Sequence, residues 1–226
     1  MTLTDAGSHI LGYEQNARES QAQVTRIITT KYLVYVPEAY ERKEGERPII
    51  VYLHGGSLRG DNVEALRTLG LPRRLERDHS PFLVVAPLCP EGEIWTDSEA
   101  VITVLDDVLT KYPTYPNRVY ITGHSMGGRG ALYIANKCPA RFAAIVAMSA
   151  YALINEWASR LSRIPIWYFH GVKDNVAPIA DGDALVKALQ SAGGNVKYFR
   201  LDNRDHFVLD LYDRDDWGGW LLEHSR

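Results

Sequence analysis

Short β-branched and aromatic runs alternate along this chain with longer amphipathic stretches. Tyr32 to Val36 reads as a strand closed by Pro37, and the charged stretch Glu38 to Arg47 as a turn. Ile49 to Leu53 is continuously apolar, the pattern of a strand buried on both faces. Phe82 to Ala86 is a second strand of that kind. Between them, Val63 to Arg77 has apolar residues at Val63, Leu66, Leu69 and Leu75, but Gly70 and Pro72 interrupt the helical spacing. Ala100 to Tyr112 is the clearest helix. Val101, Val104, Leu105, Val108, Leu109 and Tyr112 make one stripe, with Asp106, Asp107 and Lys111 off it. Strands follow at Arg118 to Thr122, Ala143 to Met148, Ile164 to Phe169 and Val196 to Leu201. Helices are expected at Met126 to Lys137, Gly182 to Ala192 and Trp217 to His224.

This alternation predicts an α/β fold, a mostly parallel central sheet with helices on both faces. The 226 residues suit one domain, 1–226, with 1–26 an irregular or edge-strand segment. Composition changes the picture only by exclusion. A net charge of −3 gives no basic surface for nucleic acid or an anionic membrane. No apolar run is long enough to span a bilayer. The polar start, Met1 to Arg26, lacks a signal-peptide core, so a cytoplasmic location is expected. The two cysteines, Cys89 and Cys138, each precede proline, stand outside any metal-ligand spacing and read as free thiols. No phosphate-binding glycine loop, dinucleotide fingerprint or metal cluster is present, so no cofactor and no metal is expected.

In open parallel sheets, binding sites lie beyond the C-terminal ends of the strands. Four polar clusters fall there: His54-Gly-Gly-Ser57, Gly123-His-Ser125, His170-Gly-Val-Lys-Asp174, and Asp202 to His206. Gly123-His-Ser-Met-Gly127 sits between a strand and a helix, the context of a nucleophile elbow. A serine hydroxyl is protonated near neutral pH and needs a base within hydrogen-bond reach. Of the seven histidines, His9, His79 and His224 are far from the strand ends. His54 and His170 suit bracing of loops, and His124 cannot easily reach round the elbow to its neighbour's hydroxyl. His206 remains as the base. Its orienting acid is best sought at Asp174, directly after a strand. Asp202 and Asp205 suit a strand end and a turn, and Asp181 and Asp183 the first turn of a helix.

With Gly123-His-Ser-Met-Gly-Gly128, Phe169-His-Gly-Val-Lys-Asp174 and Asp205-His-Phe207, the chain resembles the α/β-hydrolase superfamily over nearly its whole length. In that superfamily the triad runs Ser, Asp, His, the order of Ser125, Asp174 and His206. Leu53-His-Gly-Gly56, Ala86-Pro-Leu-Cys-Pro90 with Trp95, and Arg118-Val-Tyr-Ile-Thr-Gly123 are similar to small esterases and predicted peptidases related to polyhydroxybutyrate depolymerases and feruloyl esterases. The resemblance implies an oxyanion hole made by the Met126 N–H and one from Gly56 or Ser57. It lacks the full His-Gly-Gly-Gly run of lipase-type esterases. Trp95 and Tyr151, in loops after strands, are candidate substrate contacts; each also suits packing on the core.

Many superfamily members carry a large cap domain between the strands read here as Ala143 to Met148 and Ile164 to Phe169. Ser149 to Arg163 leaves room for a loop and a short helix, so no large cap domain and an open site are expected. The expected function is a serine carboxylesterase acting on a small-molecule or polymer-attached ester, without nucleic acid or membrane as partner. A peptidase or acyl-transferase would use the same triad. A non-catalytic binding module would keep the fold without the chemistry.

Overall fold

The computed structural model describes residues 27, 29–37, 46–78 and 80–226. The N-terminal segment 1–26, most of the Glu38 to Arg47 stretch, His9 and His79 lie outside the described residues. Among the described residues seven strands form one sheet: β1 (Tyr32–Tyr35), β2 (Arg47–Leu53), β3 (Leu83–Pro87), β4 (Thr114–His124), β5 (Ala144–Met148), β6 (Ile166–Gly171) and β7 (Val196–Leu201). Their order is β1-β3-β2-β4-β5-β6-β7. β1 runs antiparallel to β3 at one edge, and every other pairing is parallel.

Alternation along the strands sorts their side chains onto two cores. Ile49, Val51 and Leu53 of β2 face one, together with Ile121 and Ile145. Against that face pack α2 (Ser98–Lys111), α3 (Met126–Lys137), α4 (Ala158–Leu161) and α5 (Ile179–Ser191). Ile50 and Tyr52 face the other core, covered by α1 (Gly70–Leu75) and α6 (Asp216–Leu222). Because both faces are covered, the central strands are apolar throughout, as β5 Ala-Ile-Val-Ala-Met shows.

Several element boundaries differ from the sequence expectation. β2 and β4 begin earlier, with Arg47 opposite Thr114 and a register shift before Ile49 and Val119. Pro48, Pro116 and Asn117 read as turn residues, yet they lie where an irregular register relaxes the ladder. The Val63 to Arg77 segment splits into a 3₁₀ helix, Val63–Thr68, and α1, which starts at Gly70. Gly70 has φ +62, and a Cβ there would meet the Tyr52 ring, so the break has both a conformational and a packing cause. α5 starts at Ile179 rather than Gly182, because Pro178 is pre-set for the residue before a helix.

Among the described residues there is no cap domain. β5 and β6 are joined by Ser149–Pro165, holding only a 3₁₀ turn, Asn155–Trp157, and α4. No described helix is long and apolar enough to cross a membrane, and Cys89 and Cys138 are free.

Candidate active site

Since β2, β4, β6 and β7 are parallel neighbours or next neighbours, their C-terminal ends share one rim. At the end of β4 the backbone turns sharply. Ser125 has φ 57 and ψ −120, a conformation that costs a non-glycine residue roughly 1–3 kcal/mol. The turn is held from both sides. The Ser125 N–H donates to the Met148 carbonyl at 2.9 Å, and its carbonyl accepts from the Arg129 N–H at 3.0 Å. The flanking glycines are dictated by close approach. A Cβ at Gly123 would lie 2.7 Å from the Leu53 oxygen, and one at Gly127 would overlap that carbonyl and stand 2.8 Å from the His54 oxygen. At Gly128 a Cβ would come within 2.6 Å of the Met148 oxygen.

The loops after β6 and β7 bring two further groups to the serine. His206 Nε2 is 2.8 Å from Ser125 Oγ, and His206 Nδ1 is 2.8 Å from Asp174 Oδ2. An ionised carboxylate only accepts, so Nδ1 carries the proton and Nε2 is left to accept from the serine hydroxyl. Asp174 is buried. Burial pushes its carboxyl up, but the Ala177 N–H at 2.7 Å, the His206 ring and the Val176 N–H at 2.9 Å outweigh it, and it is held below the ordinary carboxylate value. His170 stands beside this pair: its Nε2 donates to the Ala177 carbonyl at 2.8 Å and lies 3.2 Å from Asp174 Oδ2, while Tyr168 OH bonds Nδ1 at 2.9 Å.

The other carboxylates near this region are engaged elsewhere. Asp205 Oδ1 accepts from the Phe207 N–H at 2.9 Å, closing a turn. Asp181 accepts from the Ala152 N–H at 3.2 Å. Asp183 is not a first-turn helix residue, since α5 begins earlier; it ties the helix to β7 through the Tyr198 hydroxyl at 2.8 Å and Arg200.

The first N–H groups of a helix have no intrahelical partner. Met126 opens α3, and Gly56 and Ser57 open the 3₁₀ turn Gly56–Leu58, so three unpaired donors flank the serine loop. The 54–58 loop runs past the nucleophile: a Cβ on Gly55 would sit 3.8 Å from the Ser125 Cβ. Its peptides are braced by side chains. His54 Nδ1 donates to the Gly55 carbonyl at 2.7 Å, while Nε2 accepts from the Cys89 N–H at 2.9 Å. Arg59 Nε donates to the Gly56 carbonyl at 3.1 Å and Nη1 to the Glu93 carbonyl at 3.2 Å.

Trp95 is 5% exposed, and its Nε1 donates to the His54 carbonyl at 2.9 Å. Its Cβ fills the space left by Gly130 of α3. The Nε1 bond packs the indole against the 54–58 loop, and Trp95 also lines a cavity with Leu88, Pro90 and Ile94. Tyr151 is half-buried and packs against the core.

Sequence reasoning missed the supports. His124 Nε2 donates to the His206 carbonyl at 2.7 Å, and Arg59 holds the Gly56 peptide. For His124 the available signal was its place one residue from the nucleophile on a buried strand end. For Arg59 there was none, because its partners are main-chain carbonyls.

A strained serine on a strand–helix turn, with its base and acid on later strand ends of a parallel sheet, defines an α/β-hydrolase. Residues 89–208 match the model of the phospholipase/carboxylesterase family, and the chain belongs to that family. Among solved structures it is similar to a thermostable esterase, with 28% identity and a TM-score of 0.74 over 86% of this chain; the chain spans 59% of that protein's length. It is also similar in fold to esterase PE8, with 20% identity and a TM-score of 0.63, over 87% of this chain and 99% of that one. The feruloyl esterase module of Clostridium thermocellum, bound to sinapinate, gives 18% identity and a TM-score of 0.64 over 80% of each chain. No curated protein matches the chain.

Proposed function

We propose that this chain hydrolyses carboxylic esters through an acyl-enzyme on Ser125. The observation that carries this is the continuous relay Ser125 Oγ–His206 Nε2 and His206 Nδ1–Asp174 Oδ2, both at 2.8 Å. In acylation the Ser125 oxygen attacks the ester carbonyl carbon while His206 Nε2 takes its proton. The imidazolium so formed is stabilised by the Asp174 carboxylate. The carbonyl oxygen becomes an oxyanion facing the Met126 N–H and that of Gly56 or Ser57. One such donor typically supplies roughly 3–4 kcal/mol of transition-state stabilisation. The tetrahedral intermediate breaks its bond to the alcohol oxygen, which leaves with the proton from His206. Water, deprotonated by the same nitrogen, then releases the acid and restores the serine.

The short β5–β6 connection supports an open site that accepts bulky or polymer-attached esters. A fluorophosphonate probe should form one adduct, on Ser125 of the folded protein, and Ser125→Ala should abolish both adduct and turnover of p-nitrophenyl esters. Wild-type turnover in Ser125→Ala would overturn the mechanism. Faster cleavage of a matched amide than of its ester would make the chain a peptidase instead.

A further inference from the structure

Among the described residues, the two most exposed large apolar side chains, apart from Ile27, both stand next to the triad. Phe207, 68% exposed, directly follows His206, and Val176, 64% exposed, lies two residues after Asp174. Open apolar surface of this size costs free energy in water unless something covers it. It is also held still. The Phe207 N–H is fixed by Asp205 Oδ1, its carbonyl accepts from Arg204 Nη2 at 3.2 Å, and Arg204 is itself paired with Asp210. The Val176 N–H is fixed by Asp174 Oδ1. The loops carrying the two residues are joined by the Lys173 N–H to the Arg204 carbonyl at 2.9 Å and by the Asp174–His206 pair. The Phe207 ring stands edge to face on the His206 ring, with centroids 5.5 Å apart and planes at 83°.

The chemistry says which half of an ester meets this rim. His206 Nε2 must deliver its proton to the departing alcohol oxygen, so the alcohol lies on the His206 side of Ser125. The carbonyl oxygen lies on the Met126 and Gly56–Ser57 side. We propose that Phe207, with Val176, forms a leaving-group subsite for the alcohol portion of the ester, selecting aromatic or bulky apolar alcohols over small ones. The reading rests on the serine-esterase mechanism above. Phe207 acts during acylation: the Ser125–acyl bond forms, the acyl–alkoxy bond breaks, and the proton passes from Ser125 through His206 to the alcohol. After the alcohol leaves, the ring has no substrate partner in the acyl-enzyme.

The test is a ratio in which intrinsic ester reactivity cancels: kcat/KM for benzyl acetate over methyl acetate, compared between wild type and variants. An aromatic contact is worth up to about tenfold, so Phe207→Ala should lower that ratio about tenfold and Phe207→Leu by about threefold or less. The ratio of methyl octanoate to methyl acetate should stay within about twofold in both variants. At 68% exposure neither substitution should alter the melting temperature by more than about 2 °C. An unchanged alcohol ratio, or a larger shift in the acyl series, overturns the subsite. Adduct formation on Ser125 and ester turnover with an unchanged ratio would sink the subsite alone. No adduct and no ester turnover in the wild type would sink the esterase mechanism and the subsite with it.

Discussion

His124 Nε2 donates to the main-chain carbonyl of His206 at 2.7 Å, so the residue before the nucleophile holds the backbone of the base. The two rings are 5.0 Å apart. Burial pushes His124 down to about 4 against the opposing pull of its bond to the His206 carbonyl, so it stays neutral while His206 carries the serine's proton. A second positive charge there would oppose imidazolium formation. His124→Ala should therefore lower kcat about tenfold with little change in KM, since it misplaces a base rather than a substrate contact. Leaving the buried His206 carbonyl unpaired should also cost roughly 1–3 kcal/mol of stability. Urea denaturation and ester kinetics on the same preparation check both; a rise in KM at constant kcat would assign His124 to substrate binding instead.

The same shift predicts a pH dependence of folding. His54 and His124 are both buried, and burial lowers each to about 4. In the unfolded chain a histidine titrates near about 6.5. With the folded value depressed, the unfolded chain takes up the protons first. The stabilisation is then complete above about 6.5 and is lost as pH falls towards about 4, on the order of 3 kcal/mol per residue. Denaturation midpoints measured at pH 7.5, 6.5 and 5 should fall steadily over the last interval, above the ordinary carboxylate range. Replacing His124 with Asn should flatten the slope by about one proton. A midpoint independent of pH between 6.5 and 5 would contradict neutral, buried imidazoles.

Asp174 carries two duties that a single substitution separates. Oδ1 accepts from the Val176 and Ala177 N–H groups, while Oδ2 meets His206 Nδ1. In Asp174→Asn the amide oxygen can keep the two backbone bonds. The NH₂ group then faces Nδ1 and forces that nitrogen to accept. The proton moves to Nε2, where it points at a serine hydroxyl it cannot deprotonate. Folding should survive and kcat should drop by about 10⁴. If Asp174→Asn unfolds the protein with its residual activity intact per folded molecule, the carboxylate's role is structural.

The elbow glycines give a sharper stability prediction. The atoms nearest a Cβ at Gly127 are main-chain atoms of Leu53, the last residue of the central strand β2, and of His54 just after it, and they cannot give way. Gly127→Ala should destabilise by about 3 kcal/mol or more, towards the top of the overpacking range. Gly56→Ala is the control, since its Cβ would reach only the flexible end of Arg59, beyond 3.9 Å. Comparable melting temperatures for the two variants would refute the close-approach argument.

These residues also show what a sequence can and cannot disclose. The relay was legible because each member follows a strand that the sequence marks: the apolar runs Val119–Ile121 before Ser125 and Trp167–Phe169 before Asp174, and the β-rich stretch Val196–Leu201 before His206. Parallel pairing then carries all three to one rim. The early starts of β2 and β4 were hidden because Pro48 and Pro116 argue locally against strands, and only tertiary pairing overrides them. His54 and His170 were legible as loop braces, and they bond the Gly55 and Ala177 carbonyls; the role of Arg59 depends on which carbonyl its side chain reaches, a matter of loop course rather than residue type. Trp95, read equally as a substrate contact or a core anchor from its place in a loop after a strand, packs into the slot that Gly130 opens on α3 and also lines a cavity.

Arg59 allows the second oxyanion donor to be identified. The peptide unit is planar, so fixing a carbonyl fixes the next residue's N–H. Arg59 Nε holds the Gly56 carbonyl and thereby orients the Ser57 N–H, whereas His54 Nδ1 holds the Gly55 carbonyl and orients that of Gly56. Complete loss of an oxyanion donor costs about 10²–10³ in kcat; loosening its peptide should cost less. If the Ser57 N–H meets the oxyanion, Arg59→Met should lower kcat about tenfold at nearly constant KM. It should also weaken binding of a boronic or trifluoromethyl-ketone transition-state analogue by a similar factor, leaving the affinity for the product acid almost unaltered. If the Gly56 N–H serves instead, Arg59→Met should leave kcat and analogue binding within about twofold of wild type, and His54→Gln should show the loss. Equal losses in analogue and product binding would mean that Arg59 only shapes the pocket.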